Sequence, residues 1–152
     1  MLALEKCRLL SGLVLACVLC ACHSMPVTGS VSILKTPGGT ALFEGPVKNV
    51  LEYRCVQCHN NKVSNGGLNL QNRDLVFKGD SKGPFIVPGN PEKSRIWKVI
   101  ILPQTHSSAM PADGWGLNSD DLRSFLAWIE RGADWPTGSK GKLQVRSYEE
   151  GE

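Results

Sequence analysis

The feature that most constrains this chain is a pentapeptide, Cys55-Val56-Gln57-Cys58-His59. A C-x-x-C-H run is the sequence signature for covalent attachment of a c-type haem. Its two thiols have the spacing needed to form thioethers with the two vinyl groups of one porphyrin, and the imidazole that follows can bind the iron. The run therefore predicts haem thioethers at Cys55 and Cys58 and an axial ligand at His59.

Two other kinds of site use similar residues and remain alternatives. A thiol oxidoreductase would use Cys55 and Cys58 as a redox pair, but the chain lacks the βαβ pattern that usually accompanies such a dithiol. A structural zinc site needs four ligands, whereas only Cys55, Cys58 and His59 cluster in the sequence. Both alternatives explain less of the chain than haem attachment does.

The start of the chain has the pattern of an export signal. Lys6 and Arg8 form a positive segment, and a mainly apolar stretch at 9–19 follows it. That stretch is too short to span a bilayer and has the length of a signal-peptide core. We therefore predict a signal peptide at residues 1–21.

The signal ends in the run LCAC at residues 19–22, which resembles a bacterial lipoprotein cleavage site. This pattern predicts that Cys22 is lipidated and becomes the mature N-terminus. Cys17 ends a similar run, although it would leave a very short apolar segment. Lipidation at Cys17, or ordinary secretory cleavage without lipidation, remains an alternative.

Six cysteines in an exported chain would suggest a disulfide framework, but their positions exclude it. Four of them lie at or before residue 22, so only Cys55 and Cys58 remain for the folded part. The formal net charge is +3, with no basic patch interleaved with aromatic residues. Nucleic acid is therefore not an expected partner.

The 152 residues are sufficient for one domain. A stretch rich in Pro, Gly, Ser and Thr precedes it, and a polar, charged stretch follows it. We predict a tether at 22–42, a folded haem domain at 43–136, and a polar, mobile tail at 137–152.

Helical signals predict a mostly α fold with three to four short helices and loops around one haem. The three predicted helices run from Pro46 into the pentapeptide, from Asn90 to a stop before Pro103, and from Asn118 or Ser119 to a stop before Gly132. Residues 60–90 are rich in Asn, Gly, Asp, Lys and Pro. They predict ordered loops over a haem edge, with a small β-structure as the alternative.

The sixth iron ligand must come from elsewhere in the chain, and Met110 is the preferred candidate. It precedes Pro111, which restricts its backbone to extended conformations and stiffens the loop. A thioether raises the reduction potential relative to a second histidine. The competing possibilities are His106, in the same loop, and an open sixth site. Arg54 and Arg95 are candidates to pair with the haem propionates.

Several stretches are similar to those of a known family: CVQCHN at 55–60, GGLNL at 66–70, VPGNPEKS at 87–94, Met110-Pro111, and LAWIERGA at 126–133. Together they resemble a small class I cytochrome c and, more narrowly, the planctomycete-type cytochrome c domain, over roughly residues 43–136. The resemblance implies a mostly helical fold in which the N- and C-terminal helices cross beside one covalent haem c. It also implies His59 and Met110 as axial ligands.

Iron bound by protein on both faces has no open position for a substrate, so the sequence predicts a one-electron carrier and not an enzyme. The expected location is the periplasmic side of a bacterial membrane, where a lipid anchor would keep the domain near membrane-associated redox donor and acceptor proteins. The alternative is a haem enzyme, or a gas or redox sensor, with a labile or open sixth site.

Overall fold

A computed structural model describes residues 38–147. The predicted signal peptide, the candidate lipidation sites Cys17 and Cys22, the tether up to residue 37, and the tail from 148 onward lie outside the described residues. Residues 38–147 contain helices, turns and two isolated bridges but no strand, which confirms the mostly α fold class. No helix in this part of the chain is long and apolar enough to cross a membrane.

The first helix, α1, spans residues 39–55 and is kinked at Gly45. It consists of the segments Gly39–Leu42, Phe43–Val47, Lys48–Val50 and Leu51–Cys55. The later helices are α2 (Arg73–Lys78), α3 (Arg95–Ile100), α4 (Ser119–Glu130) and α5 (Gly138–Gly141). Single 3₁₀ turns occupy Asn65–Gly67 and Pro91–Lys93.

Helix α1 begins earlier than its sequence pattern indicates, and it is kinked. The predicted start, Pro46, lies inside the run and directly follows Gly45, whose φ of −102° and ψ of −107° are not helical. Pro46 has no N–H to donate within a helix, so a break immediately before it is expected. The predicted helix is therefore the second half of α1, and it ends at the pentapeptide as expected.

Helix α4 forms where the sequence predicts it, and its ends have the predicted causes. The Asn118 side chain accepts hydrogen bonds from the amides of Asp120 (2.9 Å) and Asp121 (2.8 Å), so Asn118 is the N-cap. Beyond the last turn, Gly132 has a φ of 96°, a backbone conformation that glycine adopts most readily.

The second predicted helix is divided in two. The Asn90 side chain accepts from the amide of Lys93 (3.0 Å) and caps the 3₁₀ turn, as the Asn-Pro signal predicts. Ser94 then takes an extended conformation, and α3 begins only at Arg95. Helix α3 ends before Pro103, which agrees with the predicted stop.

Helix α1 packs against α4, and α4 also contacts α3. An aromatic cluster fills the junction of α1 and α4: Phe43 lies 4.8 Å from Trp135 between ring centroids, and Phe125 meets Trp128 edge to face. Both buried indoles donate to backbone carbonyls, Trp128 to Asp134 and Trp135 to Gly141. These two tryptophans therefore belong to the core, which orients α1 and its C-terminal end.

Packing extends beyond both predicted domain limits. Helix α1 begins at Gly39, ahead of residue 43, and residues 142–147, called here the C-terminal strap, return to α1. Leu143 in the strap is buried, and the buried Glu52 carboxylate accepts a hydrogen bond from the Gln144 amide (3.0 Å). The described part of the predicted tail is thus held against the domain.

Candidate haem site

A cavity of about 740 Å³ lies between the end of α1, helix α3 and the loop at residues 110–115. Its size is within the roughly 300–1,000 Å³ typical of ligand and cofactor sites. Four of its lining residues are those that the sequence assigns to haem: Cys55, Cys58, His59 and Met110. The fold therefore brings to one cavity residues that are far apart in the sequence.

The pentapeptide forms a tight turn at the end of α1. The amides of Cys58 (3.2 Å) and His59 (3.1 Å) both donate to the carbonyl of Cys55. Val56, between the two cysteines, is fully buried and fixes the turn against the core. As a result both cysteines and the imidazole reach the cavity wall.

Asn60 holds this turn from its C-terminal side. Its side-chain Nδ2 donates to the carbonyls of Val56 (2.7 Å) and Gln57 (3.0 Å), and its Oδ1 accepts from the amides of Lys62 (2.8 Å) and Val63 (3.0 Å). The side chain is buried, and its hydrogen bonds connect the turn at residues 55–59 to the turn at residues 60–63. The sequence analysis assigned it no role, although Asn is a residue type that makes such local backbone bonds.

The His59 imidazole is half-buried, and one of its ring nitrogens has no hydrogen-bond partner among the described residues. Its Nδ1 atom is buried, and within residues 38–147 it makes no hydrogen bond. Burial lowers the pKa of the His59 imidazole, although the backbone groups of Asn65 and Leu68 act in the opposite direction. The neutral ring is the form that binds a metal.

The Cys55 thiol does not have the character of a redox nucleophile. Burial raises its pKa to about 12, although the nearby Arg54 charge opposes the shift. Reactive dithiols depend on a lowered thiol pKa. The raised pKa of Cys55 favours the haem interpretation over the oxidoreductase alternative.

Met110 reaches the cavity because its backbone is attached to α3. Its amide donates to the carbonyl of Val99 (3.0 Å), and the Met110–Pro111 peptide bond is cis. His106, the competing candidate, is exposed, does not line the cavity, and accepts a hydrogen bond from the Ser108 amide (3.0 Å) at its Nδ1 atom. The position of Met110 suits an axial ligand, and its ligation stays a prediction.

Both candidate propionate partners line the cavity, and each is already paired with a carboxylate. Arg54 contacts Asp113 (3.1 Å), and Arg95 contacts Asp80 (2.7 Å). The guanidinium of Arg95 also lies over the ring of Phe85, 4.2 Å from its centroid. Either arginine has spare N–H groups, since a guanidinium carries five.

The remaining wall of the cavity is largely apolar. Its aliphatic and aromatic members include Leu68, Phe85, Ile96, Val99 and Ile100. An apolar wall suits the faces of a porphyrin, and the thiol pair, the imidazole and the thioether suit its vinyl groups and iron. The residues present therefore fit a covalently bound haem. No three His, Cys, Asp or Glu side chains in residues 38–147 form a metal-ion cluster of their own.

Residues 55–114 match the family described as Planctomycete cytochrome C. The matched range begins at the first cysteine of the pentapeptide and ends in the loop that carries Met110, so it includes all four residues assigned to haem. No curated protein and no solved structure matches the chain.

Proposed function

We propose, from the premise that residues 55–114 form a planctomycete-type cytochrome c domain, that this chain carries single electrons on one His/Met-ligated haem. Domains of this family are haem-binding and generally transfer electrons. The proposal adds one haem per chain, a specific ligand pair and the absence of substrate chemistry. It also adds a lipid anchor at Cys22.

One observation carries the proposal: Met110 lines the same cavity as Cys55, Cys58 and His59. A thioether and an imidazole in one apolar cavity are the ligand types of electron-transfer cytochromes c. With both axial positions of the iron held by the chain, no position would remain for a substrate. Electron transfer is therefore favoured over a haem enzyme or a sensor.

Each residue of the site has a separate task in this proposal. Cys55 and Cys58 would hold the porphyrin covalently, while His59 and Met110 would bind the iron. A bound haem c would supply an iron that is reversibly oxidised and reduced by one electron. The apolar wall excludes water, which lowers the local dielectric and, with the thioether, raises the reduction potential.

Two features support a location outside the cytoplasm: the signal sequence and the cytochrome c domain. The lipoprotein-like signal supports export and anchoring through Cys22, and cytochrome c domains are typically exported. A tether keeps the domain at a high local concentration beside its partners. We propose membrane-associated donor and acceptor proteins on the periplasmic side as those partners.

The test is an optical spectrum of the purified protein, produced together with a haem-attachment system. We expect the ferric protein to show the weak far-red absorption band of a Met sulfur bound to haem iron, and the Met110→Ala variant to lose it. The variant should also bind carbon monoxide rapidly when reduced, because its sixth position is open. The intact protein should bind carbon monoxide slowly or not at all.

The matched control is His106→Ala, which removes the competing ligand from the same loop and should leave the band unchanged. Loss of the band in that variant, with retention in Met110→Ala, would transfer the sixth ligand to His106. Covalent haem without the band in the unaltered protein, together with rapid carbon monoxide binding, would favour the enzyme or sensor alternative.

A further inference from the structure

Arg54, the residue immediately before the pentapeptide, lines the cavity and contacts the loop that carries Met110. Its Nη2 atom lies 3.1 Å from Oδ2 of Asp113 and also donates to the carbonyl of Trp115. Asp113 in turn accepts the amide of Trp115 at its Oδ1 (2.8 Å). One guanidinium thus joins the haem-attachment segment to a turn only three residues beyond Met110.

The loop at residues 110–115 has few other attachments. Its first half is fixed, because the Met110 amide donates to Val99 of α3 and Pro111 is buried. Residues 112–115 are all exposed, and Trp115 is 77% exposed. An exposed segment with few buried contacts opens easily. The contact with Arg54 is therefore important for keeping this half of the loop closed.

The chemistry of the contact suits a structural role. The Arg54 side chain is only 20% exposed and Asp113 is 50% exposed, so solvent screens the pair only in part. Although partial burial opposes it, the Trp115 amide and Arg54 lower the pKa of the Asp113 carboxyl below its ordinary value. The carboxylate is therefore ionised at neutral pH.

We propose that Arg54 and Asp113 form a clamp that holds the 110–115 loop closed and so positions Met110 over the haem iron. Both are positioning residues, since they would act on the sixth ligand through the loop. The inference rests on the proposed function, because it assumes that Met110 ligates iron. When the clamp is broken, the loop opens more often and an external ligand can replace the thioether.

The experiment titrates the ferric haem-loaded protein with imidazole and follows the loss of the far-red band. An external ligand binds with an apparent affinity proportional to the fraction of molecules in the open state. Weakening the clamp should therefore tighten imidazole binding by about two- to fivefold, the upper part of the range expected for a partly screened ion pair. The haem content of every variant is measured first, by the amount of covalent haem per chain.

Two variants separate the clamp from other effects. Asp113→Asn keeps an oxygen for the Trp115 amide and removes the charge that attracts Arg54, so the turn itself is retained. Arg54→Gln removes the guanidinium from the other side. If the two residues act as one clamp, the double variant should bind imidazole no more tightly than the stronger single variant.

Arg123→Gln is the matched control. Arg123 forms an exposed pair with Asp120 within α4, away from the cavity lining. The substitution makes the same charge change as Arg54→Gln and should leave imidazole binding unchanged. An equal increase in this variant would show a general charge effect and overturn the clamp.

Other outcomes are equally decisive. Unchanged imidazole affinity in Asp113→Asn, with an effect in Arg54→Gln, would mean that Arg54 acts without Asp113 and would overturn the proposal. Unchanged affinity in both variants would overturn it while leaving His/Met ligation intact. Absence of the far-red band in the unaltered protein would instead show that the proposed function fails.

Discussion

Glu52 lies three residues before the first haem cysteine, and its side chain is only 1% exposed. Its Oε1 atom accepts the Gln144 amide (3.0 Å), and its Oε2 atom lies 2.7 Å from Nε of Arg146. A buried carboxylate is stable only when such partners compensate for its loss of hydration. Both partners belong to the C-terminal strap, so this one side chain attaches the strap to α1.

We expect Glu52→Ala to lower the free energy of unfolding by about 1–3 kcal/mol, because the part-buried hydrogen bond from the Gln144 amide to a charged acceptor is lost. Arg146 is 46% exposed, and the ion pair should add little because solvent screens it. Urea unfolding of the haem-loaded protein measures the change. Glu130→Ala, which removes an exposed carboxylate, is the control and should stay within about 0.5 kcal/mol. An equally small change for Glu52→Ala would contradict the role of the strap.

For single residues, the sequence predicts a role where neighbouring residues form a recognisable pattern. The spacing of Cys55, Cys58 and His59 predicts their roles at a haem, and the type of Met110 and the proline after it predict the sixth ligand. Asp113 and Glu52 could not be assigned in this way, because their partners lie 59 and 92 positions away in the sequence. Nothing in a local pattern specifies contacts at such separations.

Helices α2 and α5 are not among the three helices that the sequence predicts, and α5 lies within the predicted tail. Residues 60–90 predict loops because polar and glycine residues dominate them, yet Arg73–Lys78 is helical. The Asn72 side chain caps it by accepting the Leu75 amide (3.2 Å), and Gly79 ends it. The cap and the terminal glycine were visible in the sequence, but the helix is too short to show a repeated apolar face.

Gly79 should be intolerant of substitution. Its φ of 76° and ψ of −158° lie in a region used almost only by glycine, and an added Cβ would lie 2.0 Å from the carbonyl oxygen of Gly83. We expect Gly79→Ala to lower the free energy of unfolding by at least about 1–3 kcal/mol. Gly38→Ala is the control, because Gly38 has an extended backbone and open space around its Cα. Equal stability of the two variants, measured in urea, would argue against this strain.

Helix α4 begins where the sequence predicts and α1 does not, because local signals determine the ends of α4 whereas tertiary packing determines the start of α1. Helix α4 has a cap, charged residues in its first turn and a full apolar stripe, and these local signals all favour the same ends. In α1, Pro46 is a strong local signal for a helix start. Packing of Phe43 against Trp135 stabilises the preceding turns despite that signal.

At the scale of the whole molecule, the described residues on either side of the predicted 43–136 domain, in α1 and in the C-terminal strap, pack with it. Leu143 is buried although the stretch around it is polar and charged. Composition alone predicts a mobile tail there, because two apolar residues, Leu143 and Val145, among polar ones are too few for a periodic signal. In the structure Leu143 joins the hydrophobic core, and the Glu52 carboxylate of α1 binds the amide of the next residue, Gln144.

The proposed lipid anchor at Cys22 leads to a prediction about the membrane association of the whole chain. In a bacterial host the intact chain should fractionate with membranes and partition into a detergent phase, whereas Cys22→Ser should not, because lipidation requires the thiol. Cys17→Ser is the matched control and should leave the partition unchanged. Loss of membrane association in Cys17→Ser alone would move the anchor to Cys17. Retention of detergent partition in both variants would reject lipid anchoring at either position.

The C-terminal strap also bears on the order in which the protein is assembled. The bonds from Arg54 to Asp113 and from Glu52 to Gln144 form only after long stretches of chain have been brought together. Contacts between distant residues form slowly, because the entropy of closing a long loop must be overcome first. We therefore expect the two cysteines to stay accessible to a haem-attachment system until these contacts form. Late closure thus favours a sequence of events in which the porphyrin is joined first and enclosed afterwards.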